Sequence, residues 1–373
     1  MSRRTRALPS NPQRPPQRSI ACAARISPLI DFGADVNRYF AERRIITTFP
    51  SPEDLAPQPL HVVSVSGGKD STATLLLALE LHGHENVRAV FANTGNEHEL
   101  TYDHVRHLEE AVEIPIKWVR RDFTELWWPR RDYVRDVWPY KGVAQAVVDR
   151  ALRVFERGPT GIPFLDLCII KARFPSRMAQ FCTHELKIVP ITEYLVDLHD
   201  TTGRQVWSWQ GVRIEESAAR RNKLQGTGAC MLSYSEMGGG IHHYRPILRW
   251  PWQAVFEAHD AKDIQPNPLY RQGRSRVGCL CINSGNDEIL AWSRRDIAHI
   301  ERIDEWEDTV SAVSKRSNAT FFPAPGDNDT ARERGGIWQK VQWARTSRGG
   351  RQFSLLTDLT EPTACSSEYG LCE

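Results

Sequence analysis

The sequence contains no run of about eighteen consecutive apolar residues, so no segment reads as a membrane-crossing helix. Its start lacks the apolar stretch of a secretory signal. Net charge is nearly absent as well: 48 Lys and Arg stand against 46 Asp and Glu, leaving +2. That balance excludes a polycation that would hold nucleic acid through bulk charge, while local basic patches stay open. No internal repeat is present. Together these absences describe a soluble, cytoplasmic protein with no membrane partner. In a reducing compartment its eight cysteines need an explanation other than structural disulfides.

What the chain does have is size: 373 residues with 40% apolar content can bury one large domain with additions, or two domains. Residues 1–30 carry six arginines, no acidic residue, and Pro9, Pro12, Pro15 and Pro16, the pattern of a solvated basic tail. A transit peptide or a nucleic-acid arm are the other readings. Residues 31–59 read as an N-terminal helix, on the apolar spacing of Leu29 to Arg43, and a Pro-rich linker. From 60 to 265 strands and helices alternate. Strands are expected at Leu60 to Ser66, Val87 to Ala92, Ile116 to Val119 and Gln205 to Gly211, with helices at Ser71 to His82, His98 to Glu113 and Ile188 to Leu198. This order predicts an α/β fold, a doubly wound, mostly parallel sheet flanked by helices. The aromatics Trp127, Trp128, Tyr133, Trp138 and Tyr140 belong either to helices over the sheet's ligand end or to ordinary core. Residues 266–373 form a helical, cysteine-containing C-terminal region, in which 318–352 reads as loop and a strand pair.

Ser66-Gly67-Gly68-Lys69-Asp70-Ser71 follows the first apolar strand and leads into a helix. It lacks the Walker A spacing, yet meets the same demand. Two glycines remove the Cβ atoms that would keep backbone N–H groups from an anion, and the helix start adds its dipole. Lys69 supplies charge, Ser66 and Ser71 hydroxyls, and Asp70 either a magnesium ligand or a helix cap. After the second strand, Asn93-Thr94-Gly95 with Glu97 sits where a doubly wound sheet binds its ligand. Arg213, Arg220 and Arg221 follow another strand end and suggest a mobile guanidinium clamp for phosphate.

The hexapeptide resembles the PP-loop of the N-type ATP pyrophosphatases. The rest resembles their phosphoadenosine phosphosulfate (PAPS) reductase-like branch, whose fold is the Rossmann-like, adenine nucleotide alpha hydrolase-like one. The resemblance also rests on Phe91 to Glu97, on Cys182-Thr183-His184-Glu185-Leu186-Lys187-Ile188, on Gly211-Val212-Arg213 with Glu216, Ser217 and Arg220, and on Asn267-Pro268-Leu269-Tyr270 before Val277-Gly278-Cys279. It implies a nucleotide site of ATP or PAPS with Mg2+, in which Lys69, Asp70, Lys187 and Arg213 do the chemistry. Asn93 stands where relatives carry Asp.

Cys279, Cys281, Cys365 and Cys372 supply four thiolates, enough for zinc or a 4Fe-4S cluster if the tail folds back. Redox-active thiols, or no joint role, are the other readings. Cys22, Cys168, Cys182 and Cys230 read as buried apolar residues. A PAPS reductase attacks its substrate with a cysteine in a C-terminal Glu-Cys-Gly-Leu-His segment, whereas this chain ends Glu368-Tyr369-Gly370-Leu371-Cys372-Glu373. With that thiol displaced and the loop undegraded, the expected reaction is ATP pyrophosphatase or adenylyl-transfer chemistry coupled to sulfur transfer. It is similar in kind to the sulfur-transfer subunit of DNA phosphorothioation, with a DNA or RNA acceptor and a sulfur donor such as a cysteine desulfurase. The alternatives are a PAPS reductase releasing sulfite and a non-catalytic nucleotide- or nucleic-acid-binding accessory protein.

Overall fold

The computed structural model describes residues 58–224, 230–231, 240–272, 274, 276–323 and 335–346. The expected basic tail, the helix at 29–43, Cys365, Tyr369 and Cys372 lie outside the described residues. The strands are β1 (Leu60–Val65), β2 (Val87–Ala92), β3 (Ile116–Val119), β4 (Val206–Gln210), β5 (Cys230–Met231) and β6 (Ile241–Tyr244), in the order β3-β2-β1-β4-β6-β5. All pairs are parallel except β5 with β6. Every residue of β1 and β4 is buried, as strands covered on both faces require. The chain runs outward from β1 through β2 to β3, then returns past β1 to β4. The carboxyl ends of β1 and β4 therefore form the switch point where such sheets open a crevice.

Alternation along the strands divides the core. Val63, Val65, Ala89 and Phe91 pack on helices α1 (Lys69–Asn86) and α8 (Trp252–Asp260), together with Leu75 and Val255. Leu60, Val62, Val90 and Ala92 face the other way, onto Ile191 and Leu195 of α6 (Val189–Thr202). Helix α1 begins two residues before the expected Ser71, because Lys69 and Asp70 already lie in its first turn, and Gly83 (φ 72°) breaks it near its end. Helix α2 (Glu99–Ala111) is capped by His98, whose Nδ1 accepts from the Leu100 N–H at 3.0 Å.

A third core is built mainly from helices, with Phe174, Leu280, Phe321 and Phe322 of connecting segments. It joins α3 (Thr124–Val137), α4 (Gln145–Phe155) and α5 (Pro163–Lys171) to α9 (Asn286–Arg295), α10 (Ile297–Ala312) and α11 (Ile337–Ala344). Trp127 and Trp138 are fully buried there, while Tyr140 is 92% exposed, so only some of the aromatics predicted to pack do so. Helix α11 corrects the loop-and-strand-pair expectation for 318–352: Ile337, Val341 and Ala344 recur at helical spacing and are buried. Glu307 of α10 fastens the adjoining segment, accepting from the N–H groups of Phe321 (2.6 Å), Phe322 (3.2 Å) and Ile337 (2.7 Å).

Gly211, just past β4, lies against the start of α1. A Cβ there would sit 2.8 Å from both Cα and N of Ser71. A Gly211→Ala substitution therefore pushes backbone against backbone; it is expected to cost about 1–3 kcal/mol, as overpacking does, and to weaken ATP binding. Denaturant midpoints with an ATP titration check this, and unchanged ATP affinity would deny the contact its role.

Candidate functional site

The loop after β1 is held open from within. Gly67 has φ 79°, and a Cβ on it would lie 2.8 Å from Thr101 Cγ2, so both conformation and space call for glycine. Hydroxyl oxygens partner the loop's N–H groups: Ser71 Oγ accepts from Ser66 N at 3.1 Å and Tyr270 Oη from Lys69 N at 3.1 Å. Ser66 Oγ lies 3.0 Å from Ser71 Oγ, and Ser71 Oγ donates to the Gly68 carbonyl at 3.0 Å. Hydroxyls rotate, so phosphate oxygens can take over these donors at little cost. Asn267 donates to the Gly67 carbonyl at 3.1 Å, and His259 Nε2 lies 2.8 Å from the Lys69 carbonyl. The Asn267 to Tyr270 motif thus clasps the loop from 200 residues away in sequence. Burial lowers the His259 pKa, against the pull of the Lys69 and Ile264 carbonyls that its two nitrogens face.

Asp70 does not cap α1. The cap position is Gly68, and the Asp70 carboxylate is fully buried. Its Oδ1 accepts from Arg213 Nε at 2.6 Å and its Oδ2 lies 3.4 Å from Lys69 Nζ. Arg213, also 0% exposed, reaches the Trp250 carbonyl at 3.4 Å. The expected mobile clamp is corrected here. Arg213 is locked on Asp70; on α7 (Ala218–Leu224) Arg220 is buried and paired with Glu216, and only Arg221 faces solvent. Arg213 ties the end of β4 to the loop after β1 and fixes the crevice between them. Lys69 Nζ lies 5.3 Å from the centre of the Tyr270 ring, at the loop's open side.

Asn93 closes a turn, accepting on Oδ1 from Gly95 N and from Tyr102 Oη, both at 3.0 Å. Glu97 is 2% exposed and accepts from Thr94 N (3.2 Å), Thr94 Oγ1 (2.7 Å) and Tyr102 Oη (2.9 Å). Lys187 Nζ lies 3.7 Å from its Oε1. Lys187 stands in a π-turn, His184–Ile188, directly before α6. Burial works against its ammonium charge. Glu97 first, then the thiols of Cys279, Cys182 and Cys281, outweigh that and raise its pKa.

The backbone of Glu97 bridges Cys279, and His98 N donates to the Gly278 carbonyl at 3.4 Å. Thr101, which packs on Gly67, donates to the Val277 carbonyl. The segment bearing Cys279 and Cys281 is therefore fastened to the same turn and helix that pack on the glycine loop after β1. A cavity of about 40 Å³ opens there, lined by Thr94, Cys182, Lys187, Cys279, Cys281 and Asn283 among others. Cys281 receives a hydrogen bond from Cys279, faces Arg276 (Nη1 at 3.8 Å) and accepts from Asn283 N at 3.4 Å. These donors depress the Cys281 pKa, while the hydrogen bond to Cys281 and burial raise that of Cys279; burial pushes Cys182 up to about 11. The surroundings thus favour thiolate character at Cys281 over Cys279 and Cys182. Sequence reasoning left Cys182 as core, yet it lies five residues before Lys187, and a π-turn brings positions five apart to one side. Cys168 is the buried cysteine it was expected to be. Among the described residues no group of three or more His, Cys, Asp or Glu side chains is arranged to hold a metal ion. Cys365 and Cys372, the other ligands expected for zinc or a cluster, lie outside the described residues.

A parallel sheet that reverses direction beside β1, with a glycine loop running from β1 into a helix, defines a Rossmann-like, adenine nucleotide alpha hydrolase-like fold of the PP-loop kind. The family model of the phosphoadenosine phosphosulfate reductase domain matches residues 60–139 and 169–284, and the chain belongs to that family. The unmatched stretch between them carries α4 and most of α5. The chain is 39% identical over 342 residues to an uncharacterized 37.8 kDa protein of Escherichia phage 186, covering 85% of this chain and 98% of that one. Two solved structures are similar at low identity. One is the PAPS reductase of Candida auris in a phosphate complex, 15% identical over 66% of this chain and 87% of that one, TM-score 0.35. The other is the U34-tRNA thiolase of Methanococcus maripaludis with its 4Fe-4S cluster, 14% identical over 77% and 78%, TM-score 0.32.

Removing either partner of the Asp70–Arg213 pair strands a buried charge, so Asp70→Asn and Arg213→Ala should each lose about 3–5 kcal/mol of stability. Urea unfolding of the two single variants and the double variant measures their coupling. Simple additivity within about 0.5 kcal/mol would show that the pair does not act as one unit. The thiols separate by reactivity. Iodoacetamide at neutral pH should label Cys281 well before Cys182, and the labelling rate at Cys281 should persist to lower pH than for a free cysteine near 8.5. Peptide mass spectrometry reads this directly, and equal labelling of the two would refute the assigned thiolate.

Proposed function

We propose that the chain is an ATP-dependent sulfur transferase: it adenylates an oxygen of an acceptor, releasing pyrophosphate, and then replaces that oxygen with sulfur carried on a cysteine. The single observation behind this reading is that Cys182, Cys279 and Cys281 line one chamber with Lys187, whose ammonium pairs with the Glu97 that bridges Cys279. The undegraded Ser-Gly-Gly-Lys-Asp-Ser loop suits a full triphosphate, which favours ATP over PAPS.

The steps follow from the parts. Loop N–H groups, the Ser66 and Ser71 hydroxyls and Lys69 hold the β,γ-phosphates, with magnesium entering as the triphosphate's counterion. Asp70 and Arg213, locked on each other, keep the loop in register. The acceptor oxygen attacks the α-phosphorus, the bond from that phosphorus to the β-bridging oxygen breaks, and pyrophosphate leaves. Positioning and charge neutralisation do most of this work. The Cys281 thiolate, loaded as a persulfide by a donor of the cysteine desulfurase class, then offers its terminal sulfur to the activated carbon. The carbon–oxygen bond breaks and AMP leaves. Cys182 or Cys279 attacks the Cys281 sulfur, freeing the acceptor thiolate and leaving a protein disulfide, which an external thiol reduces. The chamber's roughly 40 Å³ exceeds the 10–15 Å³ that one water-sized probe needs, so a terminal sulfur fits. A zinc ion or 4Fe-4S cluster at this place would draw on the same Cys279 and Cys281.

The test is to supply ATP or PAPS, with and without magnesium, and to measure pyrophosphate, AMP and sulfite. Pyrophosphate and AMP from ATP are expected, with a Lys69→Ala loss of about 100-fold or more, as for removal of a group that stabilises developing charge. Sulfite from PAPS would make the chain a reductase. ATP binding unchanged in Lys69→Ala would remove the loop from the account.

A further inference from the structure

Beside the thiol chamber lies a much larger cleft of about 1440 Å³, beyond the roughly 300–1,000 Å³ of a pocket shaped around one small molecule. Its rim carries Arg130, Arg173, Arg177, Lys315, Arg316 and Lys340, and among the described residues no Asp or Glu lines it. None of the six cations forms an ion pair among the described residues. The Nε of Arg130 is buried without a hydrogen-bond partner among them. Lys340 is crowded: burial, then the neighbouring charge of Arg177, lowers its pKa. Cations gathered with no acidic partner among the described residues, Arg130, Arg173 and Lys315 lying only over aromatic rings, favour an anion that brings several charges at once. The floor, by contrast, is apolar, offered by the partly exposed Ala172, Ile282 and Pro323 over the buried rings of Phe174, Phe321 and Phe322. Pro175, Ile282 and Phe321 line both this cleft and the thiol chamber, so the two spaces share a wall.

We infer that this cleft seats a single-stranded nucleic acid, its phosphates on the cationic rim and its bases over the apolar floor. The combination of a basic track with apolar or aromatic surface is what single strands use, and the cleft's volume exceeds one nucleotide-sized ligand. The cations read phosphate rather than sugar, so DNA and RNA strands bind alike. A duplex, whose bases are turned inward, has nothing to lay on the floor. Binding here stands on the cleft alone. The strand's role as the acceptor rests on the sulfur-transfer reading above, since the shared wall brings it beside Cys281. The chain's near-neutral net charge does not oppose this, because the field is local.

The full-length protein is titrated into fluorescein-labelled DNA and RNA strands of about twelve nucleotides, within the range of single-strand sites, and into a duplex of the same sequence. Fluorescence anisotropy is expected to show both strands binding more tightly than the duplex. The salt slope should be near −3, as for about four neutralised phosphates. The exposed pair Arg173→Glu and Arg316→Glu should weaken strand binding by about tenfold or more and flatten the slope. The same variant should retain ATP binding, which shows that it folds. No strand binding at low salt, unchanged affinity in the double variant, or displacement of the strand by polyglutamate at equal charge would overturn the inference. Strand binding without pyrophosphate release would leave the cleft assignment standing and remove the proposed reaction instead. Pyrophosphate release without strand binding does the reverse.

Discussion

One buried carboxylate joins the two halves of the site. Glu97 sits at the end of β2, nearly sealed from water, and is held by the backbone and hydroxyl of Thr94 and by Tyr102. Such a charge is costly to bury unless it is hydrogen-bonded and paired, and here Lys187 supplies the pair. Because the Glu97 backbone bridges Cys279, the ion pair also sets where the thiols lie relative to the sheet. Without it, the Cys279 segment and the π-turn of Lys187 would have no common anchor at the nucleotide end.

The second constraint is the Asp70–Arg213 pair, which works across the switch point of the sheet. A buried ion pair contributes little net stability compared with apolar packing, but breaking it is expensive. Its value in this fold is positional: it binds the first turn of α1 to the loop after β4, where Gly211 already brings backbone against backbone. The crevice is thereby fixed before any ligand arrives, which lowers the entropy cost of binding. The helical core then closes the far side. Helices from the middle of the chain and from its C-terminal part share one interior, and their junction creates both the thiol chamber and the cationic cleft.

The sheet was legible because its parallel strands are buried on both faces and read as short apolar runs; Val87–Ala92 and Ile116–Val119 fall where the pattern places them. The glycine turn between β1 and α1 was legible because two adjacent glycines after an apolar strand mark a tight turn into a helix. Arg213 and Arg220 were read as parts of a mobile clamp, whereas both are buried in ion pairs; the partner of Arg213 lies 143 positions away and no local pattern announces it. Cys182 looked like core for a related reason: its meeting with Cys281 depends on packing between distant segments, and its link to Lys187 on a π-turn that periodicity does not reveal. The cleft was invisible because its cations come from four separate stretches, in a chain whose total charge is almost zero. Helix α11 hid behind glycine- and arginine-rich neighbours that dominate the composition of 318–352.

The central claim is that the phosphate loop and the thiols form one site. It is tested most directly by the rate at which iodoacetamide modifies Cys281 with and without saturating ATP. Bound nucleotide should slow modification by about tenfold or more, as exclusion of the reagent from an adjoining chamber implies, and Lys69→Ala should abolish the protection. Equal rates in the two conditions, with ATP shown to be bound, would contradict a shared site.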